Sequence, residues 1–272
     1  MVASIAEVSD GNADEMTQES GHGDAPTGRL GANVRYETVQ GFAGWQGAAP
    51  AIERLITEFG CRNVLEIGSG ANPTLSVEAV RRLGLRYTTN DISEAELGKA
   101  DSAYARLRHD FSETNPPAGL HGSFDLVFSR MVNEHVRDGA RYYRNIAAVL
   151  APAGITTHWF STLYALPFIG NRLMPEFVSD RILDVLAPRD RSDHGKFKAY
   201  YSWGRGPTRK MVARLEALGF DVLEYTGYFG HTYYRRSLPL LDYLERKKAA
   251  FLAKHPNPFL TSYARVVLRK RA

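Results

Sequence analysis

The sequence predicts an α/β protein built on a doubly wound, mostly parallel sheet of seven strands, with long insertions that act as lids. Three observations predict it. Short apolar runs alternate with helical patterns from about residue 50 to the C-terminal end. One run, Val64-Leu-Glu66-Ile, enters a glycine turn, Gly68-Ser69-Gly70, and leaves it toward a helix. Carboxylates or other polar groups then stand at the ends of successive runs, at Asp91, Asp110 and Ser129-Arg130. Strands that alternate with helices favour a parallel sheet covered on both faces.

The elements follow in order. Residues 1–30 read as a disordered acidic tail: Glu7, Asp10, Asp14, Glu15, Glu19 and Asp24 occur there before the first Arg, at Arg29. One domain over 31–272 follows, its ordered part starting near Val34. Ile52, Leu55, Ile56 and Phe59 share a helix face over 50–59, and Gly60 suits its C-terminal stop. Asn63–Ile67 is the first strand. A helix after it is expected to be capped by Asn72, with Pro73 in its first turn and Gly84 at its end. Further strands are expected at Arg86–Asn90, Ala105–Arg108, Phe124–Ser129, Ile155–Phe160, Phe220–Tyr225 and Ser262–Leu268. Helices are expected at Gly139–Leu150, Pro207–Leu218 and Ser237–Lys254. Two stretches, 161–206 and 228–258, exceed ordinary loop lengths, which marks them as acceptor-binding lids.

Composition narrows the class. The chain has 272 residues, 44% apolar and 24% charged, ordinary for a globular enzyme. No apolar run approaches the ~20 residues of a membrane-spanning helix. The formal charge is +4, and setting aside the six acids of residues 1–28 leaves +10 on the body. That charge suits phosphates, nucleic acid or anionic lipid, although no long basic block is present. Cys61 stands alone, so no internal disulfide forms. With no charged-then-apolar leader at the N-terminus, a reducing cytoplasm is the expected compartment.

The glycine turn is the centre of the expected site. Gly68 and Gly70 let backbone approach a ligand beyond the strand ends, where such sheets bind ligands. Glu66 would repel a pyrophosphate and could hold a cation or a hydroxyl. Asp91, 23 positions after Gly68, can accept both hydroxyl protons of a ribose, with Ile92 beside it. Asp110 could accept from an adenine amino group while Phe111 packs on the ring. A phosphate-loop motif ending in Gly-Lys-Ser/Thr is absent, which disfavours an NTPase.

These residues resemble the class I S-adenosylmethionine-dependent methyltransferases, a family with a Rossmann-like fold. The matching motifs are Glu66-Ile-Gly68-Ser69-Gly70, Asp91, Asp110, Phe124-Asp-Leu-Val-Phe-Ser129, and Leu150-Ala-Pro152-Ala-Gly154. Asn72 departs from the pattern, replacing a third glycine. The resemblance covers about 45–160. It implies an enzyme that binds S-adenosyl-L-methionine through Glu66, Gly68, Ser69, Gly70, Asn72, Asp91, Ile92, Asp110, Phe111, Ser129 and Arg130.

Methyl transfer to an alcohol needs a base, and histidine suits it. His135 lies just past the fourth strand and is the expected general base, oriented by Glu134 or Asp138. Glu134, His135 and Asp138 could also gather a divalent metal, but their spacing supports no metal site. His194 and His231 are reserve bases. The lids carry aromatic and polar residues suited to sugar faces and hydroxyls: His194, Tyr200, Tyr201, Trp203, Arg205, His231 and Tyr233. The lid text from Phe160 to Pro207 is also similar to actinobacterial sugar O-methyltransferases of the methylmannose polysaccharide 1-O-methyltransferase type. The expected reaction is thus O-methylation of a sugar hydroxyl in an oligosaccharide, polysaccharide precursor or glycolipid. Alternatives are a lipid, quinone or secondary-metabolite hydroxyl, with Phe168, Met174 and Phe177 lining an apolar pocket, and a non-catalytic binding or assembly protein on the same fold. Nucleic acid is disfavoured as a partner, since no amino-methylation motif or RNA-binding appendage is present. The oligomeric state is left open, a homo-oligomer included.

Overall fold

The computed structural model describes residues 33–163, 198–235 and 238–272. The acidic tail, most of the first lid, and His194, Phe168, Met174 and Phe177 lie outside these residues. Eight strands form one sheet in the order β1-β7-β8-β6-β5-β2-β3-β4. They are β1 (Val34–Thr38), β2 (Asn63–Ile67), β3 (Arg86–Asp91), β4 (Ala105–Arg108), β5 (Phe124–Arg130), β6 (Leu150–Ser161), β7 (Phe220–Phe229) and β8 (Tyr263–Lys270). Only β8 runs antiparallel to its neighbours. The parallel character was expected; the count of seven is corrected to eight. The additional strand is β1, which pairs parallel to β7. Its alternation of half-buried and exposed residues is that of an edge strand.

The helices are α1 (Ala48–Phe59), α2 (Val77–Arg82), α3 (Glu94–Lys99), α4 (Gly139–Val149), α5 (Arg209–Ala217) and α6 (Pro239–Lys254). Gly60 ends α1 with a left-handed backbone, φ 65°, the conformation glycine adopts without steric cost. The expected start of α2 is corrected. Ser76, not Asn72, caps it, its side chain accepting from the Ala79 amide. The chain therefore runs irregularly from Gly68 to Leu75 before turning helical. The short helix α3 was not expected; Ser93 caps it. Much of the second supposed lid is regular structure, taken up by the end of β7 and by α6.

Side chains alternate across each strand, and this parity builds two apolar layers. Val64, Leu126, Phe128 and Trp159 face one layer with Ile52 and Leu55 of α1. Leu65, Ile67 and Val127 face the other with Tyr142 and Ile146 of α4 and Leu215 of α5. Cys61 is buried in the first layer, where burial pushes its thiol up to about 11. That placement is structural rather than nucleophilic.

The chain crosses from β4 on one side of β2 to β5 on the other. The crevice at the carboxyl ends of β2 and β5 is thus the switch point of the sheet, where ligands of such folds bind.

Candidate active site

A cavity of about 390 Å³ opens at that edge, a normal size for a small-molecule site. The ends of four strands line it: Ile67 and Gly68 after β2, Asp91 and Ile92 after β3, His109, Asp110 and Phe111 after β4, and Met131, Val132 and His135 after β5. Tyr142 of α4, Lys198 and Tyr200 also line it.

Gly68 adopts φ +70°, and a Cβ there would stand 2.4 Å from Val132 Cγ2. Gly70, at φ +49°, would place a Cβ 3.2 Å from Asp91 Oδ2. The turn is therefore packed against both the β5 end and the β3 acid, and only glycine fits. Asp91 uses Oδ1 to accept from the Ser93 amide at 2.9 Å. Asp110 uses Oδ1 for the Ser112 amide at 2.8 Å and the Ser112 hydroxyl at 2.7 Å. Each carboxylate is held rigidly by one oxygen while lining the cavity. Ile92, 48% exposed, offers it an apolar surface.

Glu66, Ser69, Gly70, Asn72, Ser129 and Arg130 do not line this cavity, and for Glu66 and Ser129 strand parity is the reason. Glu66 sits one residue before the strand end and points into the first layer, 1% exposed. Its carboxylate accepts from the Thr74 amide at 2.8 Å, the Thr74 hydroxyl, and the Tyr87 hydroxyl at 2.5 Å. Arg130 approaches it at 3.6 Å and donates to the Asn72 carbonyl at 3.2 Å. Burial raises the Glu66 carboxyl above its usual range, and these donors oppose the rise. Glu66, Arg130 and Asn72 thus brace the glycine loop from behind. Ser69 ties the loop to β3, its amide donating to the Asn90 carbonyl at 3.0 Å. Ser129 is fully buried on the α4 side, where its hydroxyl meets His158 Nδ1 at 2.7 Å and accepts from the Tyr142 hydroxyl at 3.3 Å.

His135 lies in a short 3-10 turn, Asn133–His135. Met131, at φ +54°, swings the chain from β5 into that turn. A non-glycine residue held there is strained, and such strain collects at functional sites. His135 Nδ1 lies 3.3 Å from the Lys198 carbonyl. A carbonyl only accepts, so the proton belongs on Nδ1 and the lone pair on Nε2.

Glu134 does not orient that ring. It is buried, and Oε1 accepts from the Ser161 hydroxyl at 3.0 Å. Its backbone carbonyl accepts from the Tyr200 and Tyr201 amides at 2.8 and 2.9 Å. Burial holds its carboxyl above the usual range, and the neighbouring His135 opposes this. Its part is to fasten the Tyr200 segment beneath the cavity. Asp138 caps α4 through the Arg141 amide at 3.0 Å. No group of three or more His, Cys, Asp or Glu side chains gathers as a metal site among the described residues.

Of the described residues expected to bind an acceptor, Tyr200 alone lines the cavity. Tyr201, at φ +51°, turns to the buried side near Tyr263. Trp203 stacks on Tyr143 at 5.7 Å under the Arg214 guanidinium. The Arg205 carbonyl accepts from Tyr225. His231 is buried 3.7 Å from Glu245, and Tyr233 packs on its ring at 5.4 Å. None of these five lines the cavity. Asn90, His109, Val132, Tyr142 and Lys198 also line the cavity and were not expected to. His109 was recoverable, since it adjoins the expected strand end Arg108; nothing in the sequence beside Tyr200 marks Lys198.

A turn packed as only glycine allows, rigid acids at two neighbouring strand ends and a cavity at the switch point make an arrangement suited to a nucleoside ligand. Residues 65–157 match a methyltransferase domain family. Over that third of its length the chain carries a methyltransferase domain, and it is an enzyme whose cofactor is S-adenosylmethionine. The fold is similar to a Haemonchus contortus phosphoethanolamine N-methyltransferase 2, solved with phosphomonomethylethanolamine and S-adenosylhomocysteine. That likeness has a TM-score of 0.52 at 18% identity, over 84% of this chain and 53% of that one, so this chain spans about half its length. A Mesorhizobium loti S-adenosylmethionine-dependent methyltransferase gives 0.46 at 18% identity, over 85% and 100% of the two chains. One from Archaeoglobus fulgidus gives 0.49 at 16%, over 83% and 94%. A search of curated proteins returns no match.

Proposed function

We propose that the enzyme methylates a hydroxyl of a small polar acceptor, a sugar hydroxyl being the expected class, with His135 as general base. The observation that carries this reading is that His135 lines the same cavity as Asp91 and Asp110. The cofactor would be held by the Gly68–Gly70 turn, by Asp91 at its ribose, and by Ile92, Asp110 and Phe111 at its base. Bound there, S-adenosylmethionine supplies an electrophilic methyl group on a sulfonium. The protein's own task is positional: it must hold the acceptor oxygen in line, within about 3–3.5 Å of the carbon it attacks.

His135 takes the hydroxyl proton on Nε2 as the new bond forms, and its Nδ1–H stays on the Lys198 carbonyl. Arg137, Lys198 and Tyr200 beside it supply donors and one ring face, which suits a polyol. Glu134 keeps Tyr200 in place through its carbonyl.

The test is transfer of labelled methyl from S-adenosylmethionine to a panel of sugars, lipid alcohols and amines. With the accepted substrate, His135→Ala is expected to lower kcat by about 10²–10⁴ and to leave affinity for S-adenosylhomocysteine unchanged. Turnover within a few-fold of wild type would remove the base. Transfer to amines alone would remove the hydroxyl.

A further inference from the structure

The outward face of α6 is apolar. Leu240 is 72% exposed, Leu244 53% and Phe251 61%. At about 100° per residue these three fall within roughly 40° of one another. Leu241 and Tyr243 flank them, and the turn after the helix adds Phe259 and Leu260. Seven of the eleven exposed large hydrophobic side chains among the described residues therefore fall between positions 240 and 260. Single exposed apolar residues are ordinary, but a contiguous group marks an interaction surface.

The charges of the helix sort by sign. Its two acids, Asp242 and Glu245, are buried and meet Arg246 and Lys248 at 3.0 and 2.5 Å. Ala249 and Leu252 complete the inner face against Phe229 and Tyr36. Arg246, Lys247, Lys248 and Lys254 border the apolar stripe, and Lys247 lies 5.5 Å from the Tyr243 ring. The solvent side thus offers leucine, phenylalanine and tyrosine edged by cations, and no exposed acid.

A second copy of the chain would bury the apolar area, but a two-fold contact would bring two basic borders together. An anionic lipid surface satisfies both features. Apolar side chains enter the acyl boundary, and the cations meet lipid phosphates. At 16 residues α6 is too short to span, and no described helix is long and apolar enough to cross a membrane.

We propose that α6 and the Phe259–Leu260 turn dock the enzyme on an anionic bilayer surface, with the helix lying in its plane. α6 packs on β1 and β7 and follows the carboxyl end of β7, at the far end of the sheet from β4. The inference does not depend on which acceptor is methylated.

The experiment is co-sedimentation of the full chain with vesicles of phosphatidylcholine, alone or mixed equally with phosphatidylglycerol, at low and high salt. Partitioning into the anionic vesicles is expected, weakened by salt. Leu244→Ser/Phe251→Ser should lower it about tenfold or more, and Lys247→Gln/Lys254→Gln should remove most of its salt dependence. Retained S-adenosylhomocysteine binding and an unchanged melting temperature would show that the variants fold. No partitioning of the wild type overturns the proposal, as does equal partitioning of the Leu244→Ser/Phe251→Ser variant. A concentration-dependent dimer that this variant abolishes, without vesicle binding, overturns it in favour of self-association.

Discussion

Substituting Gly68 by alanine tests the packed glycine turn, and its cost separates into two parts. The first is backbone strain. Gly68 sits at φ +70°, and an L-residue held in the left-handed region costs about 1–2 kcal/mol. The second is steric. The new Cβ would stand 2.4 Å from Val132 Cγ2, far inside the ~3.5–4.0 Å of ordinary carbon contact. Relieving it displaces Val132, and overpacking of this kind costs about 1–3 kcal/mol. The Val132 carbonyl accepts from the His135 amide at 2.9 Å, so the displacement passes into the turn that carries His135.

The total of about 2–5 kcal/mol corresponds to roughly 30-fold to 4,000-fold if it falls on cofactor affinity. Calorimetric titration with S-adenosylhomocysteine reads that part, and a thermal melt reads any part that falls on the fold. The partner substitution Val132→Ala distinguishes the two costs. It removes Cγ2 and should restore the steric share in Gly68→Ala/Val132→Ala, while the strain share remains. If Gly68→Ala alone binds within about threefold of wild type and melts within about a degree, the close packing of turn and β5 end is not what the site requires. Full rescue by Val132→Ala would refute the strain term alone.

Two further outcomes follow from the same geometry. Asp91→Asn keeps an acceptor for the Ser93 amide but loses the charge facing the cavity. Affinity for S-adenosylhomocysteine should fall by about 1.5–3 kcal/mol with the melting temperature of the free protein unchanged, and equal affinity would exclude Asp91 as a ligand. His158 is fully buried between the Ser129 and Thr156 hydroxyls, and burial pushes its pKa down to about 3. The unfolded chain binds a proton there below about pH 6.5 that the folded chain refuses until about pH 3. Its contribution to stability is therefore constant above pH 6.5 and falls on acidification, by about 1.4 kcal/mol per pH unit. Glu66 and Glu134 have raised folded pKa values and act with the opposite sign. The slope is thus read from wild type minus His158→Gln in denaturant titrations between pH 4 and 6, where parallel profiles would refute it.

The fold was legible because each element carries a local signal. The alternation of apolar runs and helical faces marks seven strands, although β6 begins five residues before its expected start and β7 ends four past its expected end, and Gly60 ends α1 as expected. The strand that was missed, β1, has a period-two pattern over only five residues, and its partner β7 begins nearly 190 positions later. Nothing local marks such a pairing, and the edge position buries only half the strand. The α2 cap was misplaced for a related reason. Asn72 is a good capping residue by type, but Ser76 competes for the role. The winner was decided by Glu66, whose grip on Thr74 holds the intervening loop out of helix.

The residues of the site were legible by type, and their direction was not. Glu66 and Ser129 belong to strands, where parity sends them into the two layers rather than over the edge. Glu66↔Phe128 and Ile67↔Ser129 are paired in register, and both polar side chains are buried in the layers against the sheet. Asp91 ends its strand, and Asp110 and His135 lie past the ends of theirs; all three line the cavity. Position along the strand alone does not sort the polar residues of β2–β5: Asn90 and Asp91 are both ladder residues and both line the cavity, whereas Arg130 at the end of β5 does not. Position does not sort the lid either. Tyr200 and Tyr201 are adjacent, and both amides donate to the Glu134 carbonyl, yet only Tyr200 lines the cavity. The left-handed turn at Tyr201 separates them, and no residue preference announces a tyrosine at positive φ. Where the backbone is regular, geometry can be read from spacing. Where a buried carbonyl and a strained residue set the path, as beneath His135, it must be seen.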